Sequence, residues 1–158
     1  MENIVVGIAD AKIGRKGQVL VSYALGSCVG ICLYDMGSRT AGLLHVILPE
    51  KNMAARPDNL YKFADTGIPA LVKALEKKGI PKNRLKAKIA GGAKMFSTGS
   101  VDWEIGLKNV EAVKRVLKQE GISITAEDTG KDYGRTLLFY VDSGRLEIKS
   151  VKHGTVVI

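Results

Sequence analysis

"CVGICLYDMGSRTAGLLHVILP", residues 28–49, holds two apolar runs separated by a few turn-forming residues. The first, residues 28–35, is rich in β-branched and aromatic side chains. The second, residues 40–49, ends on Pro49. Gly37 and Ser38 supply a turn too short for any crossover, and a connection that short joins only antiparallel neighbours. Residues 28–35 and 40–48 are therefore expected to pair as a β-meander. Upstream, "GQVLVSYAL" (17–25) alternates Val19, Val21 and Tyr23 against Leu20 and Ser22, another strand pattern. Val5 and Val6 mark one more near the start.

Downstream the period changes. "EKNMAARPDN" (50–59) is polar and broken by Pro57, a surface loop leading to a helix start. Leu60, Phe63, Ala64, Ile68, Leu71, Val72 and Leu75 then recur at helical spacing, with Gly79 as a stop. Pro69 lacks a backbone donor, so a kink or a restart is expected there. "RLKAKIAGGAKMF" (84–96) returns to period two and meets a glycine pair. Val110, Val113, Val116 and Leu117 form the apolar face of a second helix closed by Gly121. Strand patterns follow in "ISITAED", "RTLLFYV" and "RLEIKSV", the last two joined by the hairpin signal Asp142-Ser143-Gly144. Strands, helix, strand, helix, strands in that order indicate an α+β fold: a layered sandwich of largely antiparallel strands with two long helices on one side.

The chain has 158 residues, 46% hydrophobic and 25% charged, which suits one domain over residues 1–158 with a core that needs no disulfide or metal. The start, MENIVVG, does not read as a secretory signal, and no run reaches the ~18 apolar residues of a membrane span. A cytoplasmic protein without membrane insertion is expected. Two cysteines are too few for a disulfide framework. On one strand Cys28 and Cys32 would stand ~13 Å apart, so both are expected as free thiols. Twenty-four basic against 16 acidic residues give a formal charge of +8, which favours anionic partners. Aromatics amount to only 6% and are not interleaved with the basic residues. Nucleic-acid binding therefore rests on charge alone, and no nucleic-acid partner is expected.

Cys28 and His45 carry the chemistry to weigh. A thiol becomes a strong nucleophile as thiolate, and a nearby imidazole is a common route to that form. If the two runs pair, Cys28 at the start of one strand and His45 near the end of its partner come close although they are 17 positions apart. A packing role is the alternative for each: cysteine on a strand is often a small core hydrophobe, and histidine on an apolar face is often satisfied by a carbonyl. Leu25-Gly26-Ser27-Cys28 favours chemistry. Gly26 permits a sharp turn and close substrate approach, and the amides of Ser27 and Cys28 could converge on an oxyanion. Gly91-Gly92 reads better as a strand end packed under a helix than as a catalytic edge. Cys28, Cys32, His45 and His153 lack the spacing of a zinc site, so no metal is expected.

The chain resembles the chemoreceptor glutamine deamidases of the CheD family. The resemblance lies in "LGSCV", "LYD", "LLHVILP", "KIAGGAKMF", "IGLKNV" and "AEDTGKDYGRTLLFYVDSG", in that order over about residues 15–148. It implies a layered α/β/β sandwich shared with deamidating bacterial toxins, and hydrolysis of receptor glutamine amides to glutamate, with some receptor methyl-ester hydrolysis. It places the nucleophile at Cys28, the general base at His45 and the hydroxyl that orients the histidine at Ser22, where the family usually has threonine. Thr129-Gly130 stands where the family has a glycine pair. The implied substrate is the helical cytoplasmic part of chemoreceptors; Lys73, Lys77, Lys114 and Lys118 read as solvated helix faces, some of which are expected to meet it. The chemotaxis phosphatase CheC is the implied partner, and a regulatory module that binds and activates CheC is the alternative function. The chemistry calls for no cofactor.

Overall fold

The computed structural model describes residues 1–56, 58–95 and 104–158. Ten strands and two helices follow in the order β1 (Glu2–Val5), β2 (Asp10–Arg15), β3 (Gln18–Leu25), β4 (Val29–Asp35), β5 (Thr40–Val46), α1 (Ala64–Lys77), β6 (Lys86–Gly91), α2 (Ile105–Gln119), β7 (Ser123–Thr129), β8 (Arg135–Tyr140), β9 (Arg145–Ser150) and β10 (Gly154–Val157). They form two five-stranded sheets, β1-β3-β8-β9-β10 and β2-β5-β4-β6-β7. β1 runs parallel to β3 and β6 parallel to β7, the second pair joined through α2; the remaining pairings are antiparallel.

The expected meander is present. β4 pairs with β5 from Val29↔Val46 to Asp35↔Thr40, and the turn between them is tied by Asp35, whose carboxylate accepts from the Gly37 and Ser38 amides and the Ser38 hydroxyl. Every residue of β4 is buried, because the strand has a layer on each side. Val29, Ile31 and Leu33 face the helices together with Leu44 and Val46 of β5. Cys32 and Tyr34 face the other sheet with Ala41 and Leu43, against Leu137 and Phe139 of β8. The two-residue period thus feeds two separate cores from one strand. Both helices lie on the outer face of the β4 sheet, which gives an α/β/β sandwich.

Three details depart from the sequence expectations. The first helix neither ends nor restarts at Pro69; it runs unbroken over Ala64–Lys77. Its first turns are held from outside, with the Ala64 amide donating to Leu48 O and the Asp65 amide to Pro49 O. Strands β2 and β10 have no alternating pattern to reveal them: β2 is a polar edge strand, and β10 is exposed along its length. Cys28 sits immediately before β4 rather than within it.

Candidate active site

β3 leaves its sheet through an irregularity. Its register with β8 shifts between Ser22 and Leu25, and Ala24 adopts a left-handed φ of 55°. That bulge lets the chain turn at Gly26-Ser27 and enter β4 in the opposite sheet, so Ser22 belongs to one sheet and Cys28 leads into the other. His45 of β5 pairs with Gly30. By the two-residue alternation Cys28, Gly30 and His45 share the face between the sheets, with Cys28 in the diagonal position, ~7–8 Å from His45 between Cα atoms. The glycine opposite His45 is forced by packing: a Cβ on Gly30 would lie 2.4 Å from Leu137 Cδ1.

His45 is 1% exposed and Ser22 fully buried. Ser22 Oγ lies 2.8 Å from His45 Nδ1 and donates to Val6 O at 2.9 Å. A hydroxyl has one hydrogen, and a carbonyl can only accept, so the Ser22 proton is committed to Val6 and Nδ1 must carry the hydrogen it gives to Oγ. The ring is thereby held as the Nδ1–H tautomer, with a lone pair on Nε2. Nε2 is buried and has no hydrogen-bond partner among the described residues. Val6 O fixes the Ser22 hydroxyl without the methyl that would restrict a threonine's rotamer. The His45 main chain is tied as well: the Ala9 amide donates to His45 O at 3.0 Å.

Burial lowers the imidazole from 6.5 to about 4 by stripping the cation of its hydration. Burial likewise pushes the Cys28 thiol up, opposed by its own amide. The resting pair is therefore a neutral thiol and a neutral imidazole. The depressed ring also has a consequence for stability. Above pH 6.5 the ring is neutral in the folded and unfolded chain alike; below it the unfolded chain binds a proton that the folded one refuses down to about pH 4. Stability should therefore fall by about 3 kcal/mol across that window and level off beneath it. Urea unfolding midpoints at pH 7.5, 5.5 and 4.5, compared with those of His45→Gln, measure this; equal pH slopes for the two proteins would contradict it.

The Gly26-Ser27-Cys28 turn is pinned by its carbonyls. Gly26 O accepts from the Ala93 amide at 2.9 Å and Cys28 O from the Gly92 amide at 2.8 Å. Ser27 O accepts from Asn109 Nδ2 at 2.9 Å. The amides of Ser27 and Cys28 donate to no other residue's backbone carbonyl among the described residues. The Cys28 amide also bonds its own thiol. Gly91-Gly92 serves packing, as the sequence suggested, and touches the site too. A Cβ on Gly92 would stand 2.3 Å from Val110 Cγ2 of α2, and one on Gly91, at φ 115°, would stand 2.3 Å from Cys28 O. Gly26 faces the Met95 side chain, whose Cγ would be 3.0 Å from an added Cβ. Sequence reading passed over Asn109 and the Val6 carbonyl. Asn109 was detectable as a polar residue inside the α2 stripe, while Val6 O leaves no trace in side-chain pattern.

Cys32 is fully buried mid-strand, and its thiol is driven well above the ordinary range by desolvation, so it is a packing residue. Both cysteines are free. Among the described residues no group of three or more His, Cys, Asp or Glu could hold a metal ion, and no helix is long and apolar enough to cross a membrane.

A half-buried thiol at a glycine turn and an imidazole bonded to a serine hydroxyl are thus gathered where the two sheets meet. Comparison with known proteins adds the lineage. The family model "CheD chemotactic sensory transduction" matches residues 47–150, beginning just after His45. A Caldanaerobacter subterraneus protein named "Probable chemoreceptor glutamine deamidase CheD" is 49% identical over 155 residues, covering 97% of this chain and 96% of its own. Proteins of the same name from Clostridium novyi and Clostridium botulinum are 44% and 45% identical over 97% and 98% of this chain, and 96% and 97% of their own. The chain belongs to the CheD family. In fold it is also similar to a crystal structure of a Neisseria meningitidis protein of the DUF152 family, with a TM-score of 0.52 at 10% identity; the match covers 83% of this chain and 64% of that one.

Proposed function

We propose that this chain hydrolyses the side-chain amide of specific chemoreceptor glutamines to glutamate, releasing ammonia. The observation that carries the reading is the Ser22-held tautomer, which leaves Nε2 of His45 as an unpartnered buried base on the face shared with Cys28. His45 Nε2 takes the thiol proton as Sγ attacks the carboxamide carbon, and the Ser27 and Cys28 amides receive the developing oxyanion. The imidazolium returns its proton to the departing nitrogen, and ammonia leaves a thioester on Cys28. Water, deprotonated by the same ring, adds to the thioester; glutamate departs and the thiol is restored. The same attack on a γ-methyl ester would expel methanol, so the proposal extends to receptor methyl-ester hydrolysis. It places the reaction in the cytoplasm on a single domain, residues 1–158, with the phosphatase CheC as a protein partner.

The test is peptide mass spectrometry of a purified receptor cytoplasmic fragment after incubation with this protein, with ammonia release measured in parallel. Conversion of a discrete set of glutamines, with matching ammonia, is expected. A receptor fragment left unmodified under conditions where a characterised deamidase converts it would overturn the reading.

A further inference from the structure

The β4–β5 ladder stops at Val29↔Val46, and the next residues on each strand carry the chemistry outward: Ser27-Cys28 on one side, Ile47 just past His45 on the other. The Ser27 and Ile47 carbonyls are reached by a single side chain. Asn109 of α2, fully buried, donates from Nδ2 to Ser27 O at 2.9 Å and to Ile47 O at 3.1 Å. Both hydrogens of the amide are used; its Oδ1 is buried without a partner among the described residues. Turning the amide over would set an oxygen against two carbonyl oxygens, so this orientation is the only one the contacts allow.

We propose that Asn109 is a positioning residue: it fastens the turn that carries Cys28 to the strand that carries His45, and by holding Ser27 O it aims the Cys28 amide. This rests on the deamidase reading above. The peptide unit is planar and trans, so the Ser27 carbonyl and the Cys28 N–H point in opposite directions. Fixing the carbonyl on α2 turns the amide away from α2. With Gly26 O and Cys28 O held by the Ala93 and Gly92 amides, three consecutive peptide planes are set, the middle one by a side chain alone. The helix that presents Asn109 is itself seated on those same residues: a Cβ on Gly106 would meet Ala93 O at 2.4 Å and Gly92 O at 2.6 Å. Leucine here would remove the unpartnered Oδ1 but leave Ser27 O and Ile47 O without this donor; asparagine reaches both carbonyls from one nitrogen.

The measurement compares Asn109→Leu with Val113→Ala, a truncation on the same buried face of α2 that touches neither carbonyl, and with Asn109→Ser, which returns one donor, should leucine not fold. Thermal midpoints establish that each variant is folded. Two quantities are then read: kcat and KM on the receptor fragment, and the initial rate of Cys28 alkylation by iodoacetamide. Removal of the clamp should lower kcat about 10- to 100-fold with KM changed less than about threefold, and slow Cys28 alkylation by about fivefold as the thiolate loses its aligned amide. Val113→Ala should leave both at the wild-type level. A folded Asn109 variant with wild-type kcat and wild-type alkylation overturns the assignment. If the wild type itself leaves receptor glutamines intact, the deamidase reading fails, and the alkylation rates alone decide: slowed in the Asn109 variant sustains the clamp, unchanged removes it.

Discussion

Cys28→Ala should be a folded protein that converts no receptor glutamine above background, a loss on the order of 10⁴-fold or more. The fold tolerates the change because Cys28 lies ahead of β4, half-buried at the edge of the inter-sheet core, where losing one sulfur costs about 1 kcal/mol. Cys32 provides the contrast four residues on. It is fully buried among Tyr34, Leu43 and Phe139, so Cys32→Ala should lower the thermal midpoint more than Cys28→Ala does and leave turnover intact. Iodoacetamide should distinguish the same two thiols, labelling Cys28 while the desolvated Cys32 stays unmodified in the folded state. Receptor conversion by Cys28→Ala at even a tenth of the wild-type rate, or loss of conversion in Cys32→Ala at full thermal stability, would place the nucleophile elsewhere. Cys28→Ser refines the point, because an alkoxide is far harder to generate than a thiolate beside a ring titrating at about 4.

Much of this arrangement is legible in one dimension. The spacing of Cys28 and His45 around the Gly37-Ser38 turn fixes their register once the two runs are read as a hairpin, and alternation then puts both on one face. The apolar stripe from Ala64 to Leu75 was sufficient to specify α1 in spite of Pro69, because tertiary contacts from Leu48 and Pro49 satisfy its first turn. What escapes the sequence is mostly carried by the main chain. Ser22 binds Val6 O across 16 positions, Gly91 and Gly92 wrap the Cys28 carbonyl, and β2 and β10 pair as edges whose exposed or polar side chains leave no periodic signature. Asn109 lies between these extremes. Gly106, Asn109, Val110, Val113, Val116 and Leu117 are all buried on α2 at helical spacing. An asparagine in such a stripe demands buried partners, which is a legible signal, but the sequence does not say that the partners are Ser27 and Ile47.

In the proposed reaction the bulge at Ala24 is what lets groups from two sheets act together. A triad assembled within one sheet would have its members on adjacent ladders, with side chains confined to the pleat. Here Ser22 approaches from the β3 sheet, while His45 and the Cys28 turn belong to the β4 sheet, so the hydroxyl engages Nδ1 and Nε2 is left without a partner among the described residues. A single residue in a left-handed conformation moves the chain from one layer to the other within six residues of Ser22.

The second large effect belongs to His45. His45→Gln should reduce kcat/KM by about 10²- to 10⁴-fold, the usual contribution of a positioned general base, and its pH profile should differ in shape from that of the wild type. In the wild type the ring must be neutral to accept the thiol proton. Burial holds it neutral down to about 4, so activity should lose its acid limb near pH 4 rather than near 6.5 and stay level across pH 5 to 8. Without the ring, attack depends on whatever thiolate exists in bulk equilibrium, and burial has pushed the Cys28 thiol upward. The residual rate of His45→Gln should therefore climb about tenfold per pH unit through neutrality, because each unit multiplies the thiolate fraction by ten below the thiol's pKa. Ser22→Ala should fall between the two proteins: the ring keeps its place in the core, but nothing selects the Nδ1–H tautomer, and the fraction with a free Nε2 drops. A His45→Gln enzyme with a level profile and wild-type kcat/KM would remove the imidazole from the reaction. A wild-type acid limb near 6.5 would mean that the ring is hydrated when it works, and that the buried Ser22–His45 arrangement is not the state in which the thiol is activated.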